Sequence, residues 1–248
     1  MKPHDDRDTR IALHRGARVF PGYPPENYWF RRHEAAYRWA ARLARGRIVD
    51  AGCGEGYGTA MLARSGGAVG LELDPEIAAA ASRRYPAARF AVGDLCRPPL
   101  GRIDAVVALQ VVEHLWCPAE FVAACAAGLS PDGVLLVSTP NADTFPTGLN
   151  LSHTHEYTAG ELAGLLGTAF RKIEVIGLGH GPGLRRLDRS LGGSVQHRLV
   201  RTGYQELPLR VRARLRTIRA GHFRITADPR DSLDLLAVCR DPFPPTPR

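Results

Sequence analysis

The sequence predicts a doubly wound α/β fold, in which helices cover both faces of a mostly parallel sheet. Short, continuously apolar segments recur along the chain, and segments with helical periodicity lie between them. Parallel strands that are covered on both faces have this uninterrupted apolar character. With 248 residues and a hydrophobic content of 44%, the chain is long enough to bury the core of one large domain.

The predicted elements alternate along the chain. A helix is predicted first, over residues 34–45, because its apolar residues recur at helical spacing. Seven strands are predicted, at residues 47–50, 68–73, 89–94, 103–110, 134–140, 172–178 and 232–240. Helices are predicted between them, at residues 75–85, 118–129 and 161–170. Thr158 and Glu161 form a capping box before the last of these helices, and SPDG at 130–133 is predicted to be a turn.

The domain boundaries are predicted where this alternation stops. Residues 1–20 are polar and lack periodicity, which predicts a disordered arm, and residues 21–240 are predicted to form a single domain. Residues 182–222 break the strand and helix rhythm, so we expect a C-terminal helical insertion there. Residues 241–248 are a proline-rich tail.

Composition argues against several classes of protein. The five cysteines lie far apart and form no CxxC pair, which predicts reduced thiols rather than disulfides or a zinc site. The polar N-terminus lacks the apolar segment of a signal peptide, and no apolar run is long enough to span a membrane, so we expect a cytoplasmic protein. The formal charge is +8. The most basic segment, residues 210–219, nevertheless has no interleaved aromatic residue, which disfavours nucleic acid as a partner.

A glycine-rich turn follows the first predicted strand, in the sequence IVDAGCGEGYG at residues 48–58. Alternating glycines predict that a ligand lies very close to this backbone. Dinucleotides and S-adenosylmethionine both bind at such a turn, but the dinucleotide pattern GxGxxG from Gly52 would need glycine where Tyr57 stands. Asp50 at the strand end would repel a pyrophosphate and suit a sulfonium and an ammonium. The turn therefore favours S-adenosylmethionine.

Two further acidic residues lie at the ends of the next two predicted strands. Glu72 can accept hydrogen bonds from both ribose hydroxyls, which either ligand class provides. Asp94 can accept a hydrogen bond from the adenine amino group, while Leu95 offers its backbone amide to the ring. Three acids at the ends of three successive strands predict one crevice for a single nucleoside.

The motifs VDAGCGEGYG, GLELDP, VGDL and LQVVEHL resemble, in order, those of the class I S-adenosylmethionine-dependent methyltransferases, over residues 26–181. The segments ENYWFRRHE, QVVEHLWCPAEFV, VSTPNADTF, GHGPGLRRLD and DSLDLLAV are similar to mycobacterial methyltransferases of methylmannose polysaccharide and methylglucose lipopolysaccharide synthesis. The resemblance implies a Rossmann-like, seven-stranded methyltransferase sheet and S-adenosylmethionine as cofactor. It also implies a carbohydrate acceptor, a methylated mannoside or glucoside, and leaves a homodimer open.

The predicted cofactor site combines these acids, the glycine turn and the aromatic segment ENYWFRRH at residues 26–33, which we expect to cover the methionine end. The predicted cofactor contacts are Tyr28, Arg31, His33, Asp50, Gly52, Cys53, Gly54, Gly58, Glu72, Leu73, Asp94, Leu95 and Gln110.

Methyl transfer to a sugar hydroxyl requires alignment of the reacting atoms and a general base. Glu113 and His114 follow the fourth predicted strand, His153 follows the fifth and His180 ends the sixth. His153 is the first choice for the base, because the similar proteins have a histidine in this pattern. His180 is the next, since the glycines beside it allow a ligand to approach.

Other interpretations stay open. A Mg²⁺ ion bound by oxygen ligands such as Glu113, Asp143 or Glu156 would also lower the proton affinity of a sugar diol. A quinone-type or other small-molecule methyltransferase shares the core motifs, whereas base N-methylation is disfavoured because LQVVEH replaces the N/D-P-P-Y/F clamp. A nicotinamide-dependent oxidoreductase and an RNA-binding module are more remote alternatives.

Overall fold

The computed structural model describes Val19, residues 21–145 and residues 152–244. These residues form an eight-stranded mixed sheet with helices on both faces. The strands are β1 (Arg47–Ala51), β2 (Gly67–Glu72), β3 (Arg89–Val92), β4 (Ile103–Leu109), β5 (Leu129–Pro140), β6 (Phe170–His180), β7 (Phe223–Thr226) and β8 (Asp234–Pro242). The helices are α1 (Asn27–Leu43), α2 (Tyr57–Leu62), α3 (Pro75–Arg84), α4 (Pro118–Gly128), α5 (Ala159–Gly167), α6 (Pro182–Ser190), α7 (Val195–Thr202) and α8 (Leu209–Arg216).

The order of strands across the sheet is β3-β2-β1-β4-β5-β8-β6-β7. Strands β1 to β5 pair in parallel, β8 lies antiparallel between β5 and β6, and β7 pairs antiparallel with β6. The chain runs outward from β1 to β3 and then returns to β4 on the other side of β1. The carboxyl ends of β1 and β4 therefore flank a topological switch point, which is where open α/β sheets bind their ligands.

The sheet separates two apolar cores. On one face, α1 packs Tyr28, Tyr37 and Trp39 against the sheet together with apolar side chains of the three helices α6, α7 and α8. On the other face, α4 and α5 bury Phe121 and Leu162 against β4, β5 and β8. The uninterrupted apolar character of the central strands follows from this double cover, as the sequence predicts.

Helix α1 begins earlier than the sequence predicts. Its first residue is Asn27 rather than residue 34, so the aromatic segment at 26–33 forms the first turns of this helix. The side-chain amide of Asn27 donates to the carbonyl of Leu215 at 2.7 Å, which fixes the start of α1 against the end of α8. The segment is thus an anchored part of the helical layer as well as one wall of a cavity.

The sheet also differs from the prediction at its edge and within β5. An eighth strand, β7, was not predicted; only the first of its four residues is buried, so it has no continuous apolar run. Strand β5 begins at Leu129 and includes the predicted turn at 130–133, where the pairing register with β4 shifts. Strand β8 ends at Pro242, two residues inside the predicted tail.

The cysteine prediction is wrong at one pair. Cys96 and Cys117, 21 residues apart in sequence, are joined by a disulfide with a Cα–Cα distance of 5.6 Å. The bond ties the loop after β3 to the residue before α4. Cys53, Cys125 and Cys239 are free and buried. Spacing alone did not predict the pair because the chain folds back between them through β4.

Three helices lie within residues 182–216, where the sequence predicts a helical section. Among the described residues, no helix is both long and apolar enough to cross a membrane. The predicted arm at residues 1–20 falls almost entirely outside the described part of the chain, as do the last four residues of the predicted tail.

Candidate functional site

A cavity of about 410 Å³ opens at the carboxyl ends of β4 and β5. The first turns of α1 form one wall, the residues that follow β4 form the floor, and the segment around Phe145 and His153 closes another side. Helix α7 and Tyr204 complete it from the C-terminal part of the chain. The cavity is lined by Val19, Pro25, Glu26, Trp29, Arg32, His33, Gln110, Glu113, His114, Pro140, Phe145, His153, Leu199, Val200 and Tyr204.

The predicted catalytic residues Glu113, His114 and His153 meet in this cavity. Glu113 and His114 belong to a short 3-10 turn after β4, and the residues after β5 are hydrogen-bonded onto that turn. The backbone amide of Thr154 donates to the carbonyl of Glu113 at 2.7 Å, and its hydroxyl donates to the same oxygen at 3.0 Å. These bonds bring His153 to His114, with ring centroids 4.8 Å apart.

The three side chains place an oxygen and two ring nitrogens close together. One donor atom from each of Glu113, His114 and His153 lies within 4.8 Å of the others. Nδ1 of His114 donates to the carbonyl of Ser152 at 2.9 Å, because a carbonyl can only accept. This bond assigns the proton to Nδ1 and leaves the lone pair on Nε2.

The side chain of Glu113 is fully buried. Among the described residues, no hydrogen bond of ordinary geometry reaches either of its carboxylate oxygens. Burial raises the pKa of Glu113 to about 8; its own backbone amide, the Thr139 hydroxyl and the charge of Arg32 oppose this shift, and the charge of Asp234 adds to it. The carboxyl group is therefore largely protonated at neutral pH, unless a cationic ligand approaches it.

His153 lies beside this carboxyl group in a half-buried position. Burial, and then the neighbouring His114, lower the pKa of His153 to about 4. The imidazole is consequently neutral near pH 7. Oε1 of Glu156 lies 3.4 Å from Nδ1 of His153.

Two predicted cofactor contacts, His33 and Gln110, also line the cavity. Nδ1 of His33 lies 2.9 Å from the hydroxyl of Tyr57, and burial lowers the pKa of His33 to about 3. Gln110 ends β4 with a φ of 57°, in the left-handed region that residues other than glycine rarely adopt. Strained backbone of this kind occurs preferentially at ligand sites.

A buried network that the sequence did not predict holds the rim of this cavity. Arg32 donates to both carboxylate oxygens of Asp234, to Oε1 of Gln196 at 2.8 Å and to the carbonyl of Leu233 at 2.9 Å. Nε2 of Gln110 donates to Asp234 as well, at 3.1 Å. The network joins α1, β4, α7 and β8, whose residues are far apart in sequence. The only signal that could have predicted it from the sequence is an arginine on the buried side of α1.

The predicted nucleoside side lies beside this cavity, at the carboxyl ends of β1, β2 and β3. Gly54 has a φ of 49° and open space where a side chain would be, so a ligand can approach its backbone closely. Its amide donates to Oε2 of Glu72 at 3.0 Å. A carboxylate thus holds the loop amide that would face a pyrophosphate in a dinucleotide site.

Asp50 does not supply the electrostatic selection that the sequence predicts. Its carboxyl group is fully buried and accepts hydrogen bonds from Thr59 at 2.6 Å and Tyr37 at 3.1 Å. Burial raises the pKa of Asp50 to about 7, the two hydrogen bonds oppose the shift and the charge of Glu72 adds to it. Asp50 therefore joins β1 to α1 and α2, and Glu72 is the carboxylate that faces the turn.

The other predicted contacts on this side divide into two groups. Leu73 is 65% exposed at the end of β2, Asp94 is exposed after β3, and the neighbouring Leu95 is buried. Cys53 is buried, and Gly52 and Gly58 allow close packing. A Cβ atom at Gly58 would lie 2.0 Å from the Tyr37 ring, so this glycine is required by the contact between α2 and α1.

Three predicted site residues lie away from the cavity. Tyr28 is buried in the core, and its hydroxyl lies 2.6 Å from Nε2 of His180. Nδ1 of His180 lies 2.6 Å from Oδ2 of Asp188, so both ring nitrogens are held within the protein. Arg31 points to another surface of α1 and pairs with Glu34 at 2.7 Å. Tyr28, Arg31 and His180 do not line the cavity that contains His153, and their roles in cofactor binding and catalysis stay predictions.

The donor set also bears on the predicted Mg²⁺ ion. Two imidazoles and one carboxylate are not the all-oxygen set that Mg²⁺ prefers. Asp143 and Glu156 are not members of the donor group formed by Glu113, His114 and His153. The described residues therefore do not support the predicted magnesium site.

Comparison with known proteins identifies the family. Residues 49–137 match the family model described as a methyltransferase domain. A probable S-adenosylmethionine-dependent methyltransferase of Mycolicibacterium smegmatis is 41% identical over 242 residues, covering 92% of this chain and 94% of the relative. Another from Mycobacterium tuberculosis is 38% identical over 248 residues, covering 92% and 89%. A ubiquinone biosynthesis O-methyltransferase of Xanthomonas oryzae is 35% identical over 107 residues, covering 40% and 45%.

Solved structures share the same fold at low sequence identity. An S-adenosylmethionine-dependent methyltransferase from Thermotoga maritima aligns with a TM-score of 0.59 at 15% identity, covering 86% of this chain and 92% of that one. One from Archaeoglobus fulgidus aligns with a TM-score of 0.56 at 16% identity, covering 84% and 93%. With relatives of more than 30% identity matching nearly the whole chain, the protein belongs to the S-adenosylmethionine-dependent methyltransferases.

Proposed function

We propose that the protein transfers the methyl group of S-adenosylmethionine to a hydroxyl group of a sugar, specifically a methylated mannoside that serves as a polysaccharide precursor. The observation that carries the O-methylation proposal is the group formed by Glu113, His114 and His153 in the cavity beside the switch point. The sugar itself is supported by the resemblance of the motifs to mycobacterial sugar methyltransferases.

The proposed cofactor position lies over the carboxyl ends of β1 to β3. Glu72 would accept hydrogen bonds from the ribose hydroxyls, and Asp94 and Leu95 would contact the adenine. The open space over Gly54 and the exposed side chain of Leu73 suit a nucleoside lying between them. The bound cofactor would supply a methyl group on a positively charged sulfur, with S-adenosylhomocysteine as the leaving group when the acceptor oxygen takes the methyl carbon.

The methionine end would then point from the glycine turn toward His33 and Gln110, which line the adjoining cavity. The acceptor would occupy this cavity, where Trp29, Phe145 and Leu199 would shield it in part from water. An acceptor hydroxyl must lose its proton before or during the attack. Glu113, His114 and His153 are the titratable groups positioned to promote that loss, and His153 is neutral at pH 7.

A quinone-type acceptor is the alternative with a specific observation in its favour, since part of the chain matches a ubiquinone biosynthesis O-methyltransferase. That match ends well short of the full length. It covers 40% of this chain and 45% of that relative, whereas a mycobacterial relative matches 92% of this chain. We therefore favour the sugar.

The proposed function is tested with methyl-labelled S-adenosylmethionine and synthetic mannosides, glucosides and a hydroxylated quinone, analysed by mass spectrometry. We expect a labelled methyl ether on a mannoside or glucoside. Labelling of the quinone alone would assign the alternative acceptor. Labelling of an amine, with none of the hydroxyl compounds modified, would overturn O-methylation.

A further inference from the structure

We propose that Glu113, His114 and His153 form a binding site for a divalent transition-metal ion of the Zn²⁺, Co²⁺ or Ni²⁺ class. The site would lie in the acceptor cavity, and its catalytic meaning rests on the proposed function: the ion would bind the acceptor hydroxyl and favour loss of its proton. The metal-binding property itself does not depend on which acceptor is used.

The first argument is geometric. The donor atoms of the three residues lie within 4.8 Å of one another. Zn²⁺ is bound at about 2.0–2.2 Å by imidazole nitrogen and carboxylate oxygen, so donors in a tetrahedral site are about 3.3–3.6 Å apart. Small rotations of side chains that already face one another would bring the donor atoms to these tetrahedral distances. The backbone bonds between Thr154 and Glu113 hold the two contributing segments in place.

The second argument is the state of the carboxylate. Glu113 has no exposed surface, and among the described residues only its own backbone amide and the Thr139 hydroxyl approach its oxygens, neither with the geometry of an ordinary hydrogen bond. A buried polar group without a hydrogen bond is costly, and a buried carboxylate is tolerated when it is paired or bound to a metal. A cation in the cavity would satisfy this carboxylate directly.

The third argument is the orientation of the histidines. Metal-binding histidines usually donate their other ring nitrogen to a carbonyl or a carboxylate, which fixes the ligand tautomer. Nδ1 of His114 donates to the carbonyl of Ser152 at 2.9 Å. Nδ1 of His153 faces the carboxylate of Glu156 at 3.4 Å. The bond of His114 places the lone pair of that ring on Nε2, the nitrogen that would bind the ion.

The donor set selects the class of ion. Imidazole favours zinc and the neighbouring transition metals, whereas Mg²⁺ requires oxygen ligands in a near-octahedral arrangement. Three protein ligands leave one position of a tetrahedral ion for the acceptor oxygen, as in catalytic zinc sites. An ion there polarises a bound hydroxyl and lowers its pKa, so that the proton is released to solvent water at the mouth of the cavity. His153 would then act as a ligand in the metal-loaded enzyme and not as a free base.

The test is Co²⁺ binding to the chelator-treated full-length protein without cofactor or acceptor, followed by its visible absorption. We expect one equivalent of Co²⁺ to bind, Zn²⁺ to displace it and Mg²⁺ to leave it in place. Glu113→Gln, which preserves the size of the side chain, should weaken binding at least about 100-fold, and Glu156→Gln by the roughly 10–100-fold typical of residues that orient a ligand. His155→Gln, an exposed neighbour on the same segment, is the matched control and should bind like the wild type.

The inference is overturned if the wild type binds no Co²⁺, or if Glu113→Gln and His153→Asn bind it as tightly as the wild type while circular dichroism shows them folded. Methyl transfer measured with and without a chelator separates the two proposals. Co²⁺ binding without methyl transfer to any hydroxyl compound would refute the proposed function alone. Undiminished transfer in the presence of chelator by a protein that binds no Co²⁺ would refute the metal site alone.

Discussion

The two sides of the switch point are built differently. The nucleoside side, over β1 to β3, is formed by residues that lie within one short stretch of sequence, from Asp50 to Leu95. The cavity over β4 and β5 brings together residues from α1, from the turn after β4, from the segment after β5 and from α7. The first can be recognised from a local motif, whereas the second exists only after the chain has folded.

This difference has a chemical counterpart. On the nucleoside side, the polar groups already have protein partners: Asp50 binds Tyr37 and Thr59, and Glu72 binds the amide of Gly54. In the cavity, the carboxylate of Glu113 receives no hydrogen bond of ordinary geometry from the described residues. We infer that the first region holds a ligand by shape and hydrogen bonds, and that the second is arranged for chemistry.

The largest expected effect is on the rate of methyl transfer, and it distinguishes the cavity from the nucleoside side. Replacing His153 by alanine should lower the rate of methyl transfer by about 10²–10⁴-fold, the usual contribution of a group that manages the acceptor proton. Binding of S-adenosylhomocysteine, measured by calorimetry, should stay close to that of the wild type, because His153 lies outside the nucleoside side. A parallel loss of cofactor binding would mean that the two regions are not separate.

The next effect concerns the buried network around Arg32 and Asp234, which the sequence did not predict. Asp234→Asn should lower the free energy of unfolding by about 3–5 kcal/mol, because Arg32 would keep a buried charge without its counter-charge. Denaturant titration measures this loss. Arg32→Met combined with Asp234→Leu should recover much of it, since removing both charges removes the unpaired one. A single variant as stable as the wild type would show that this network does not hold the cavity together.

The buried carboxyl group of Asp50, on the nucleoside side, should make the stability of the protein depend on pH. The pKa of Asp50 is raised to about 7 in the folded protein, from an ordinary value of 3.8. The folded state therefore keeps this proton while the unfolded state releases it, so stability should fall as pH rises from about 4 to about 7 and then level off. The full shift corresponds to a few kcal/mol, at about 1.4 kcal/mol per pKa unit.

Asp50→Asn should remove this part of the pH dependence, which melting temperatures at several pH values would detect. The neighbouring groups are Tyr37 on α1, Thr59 on α2 and Glu72 on β2, and they are unchanged in the variant. Asp94→Asn, at an exposed carboxylate, is the control. An identical pH profile for Asp50→Asn and the wild type would contradict the assigned shift.

The smallest effect concerns cofactor affinity. Glu72→Gln should raise the Kd for S-adenosylhomocysteine by about 10–100-fold, because hydrogen bonds to a charged group contribute about 1.5–3 kcal/mol. Glu76→Gln, at an exposed position on α3, is the matched control. Calorimetry that finds equal affinity for Glu72→Gln and the wild type would exclude Glu72 from the proposed ribose contact.

The sequence predicted most of the sheet because parallel strands covered on both faces have a recognisable apolar pattern. It missed β7, an edge strand of four mostly exposed residues. It also began the first helix after the aromatic segment, because Tyr28, Arg31 and His33 in that segment were interpreted as ligand contacts. It also missed the bond between Cys96 and Cys117, which depends on how β4 returns the chain.

The residues of the candidate site were predictable from the sequence only where they follow the ends of predicted strands. Glu113, His114 and His153 follow two adjacent parallel strands, so their meeting in one cavity follows from topology. The direction of each side chain was not predictable. Tyr28 and His180 were assigned to the site and instead contact one another in the core, while Arg32 and Gln196 were not assigned and support the rim.

The separate roles of the two regions, cofactor binding and acceptor chemistry, are tested most directly by a crystal structure with S-adenosylhomocysteine and a mannoside acceptor. The account predicts that the ribose hydroxyls bind Glu72, that the sulfur faces the cavity, and that the acceptor hydroxyl lies beside Glu113 and His153. A cofactor that fills the cavity itself, with its ribose among Glu113, His114 and His153, would contradict the account.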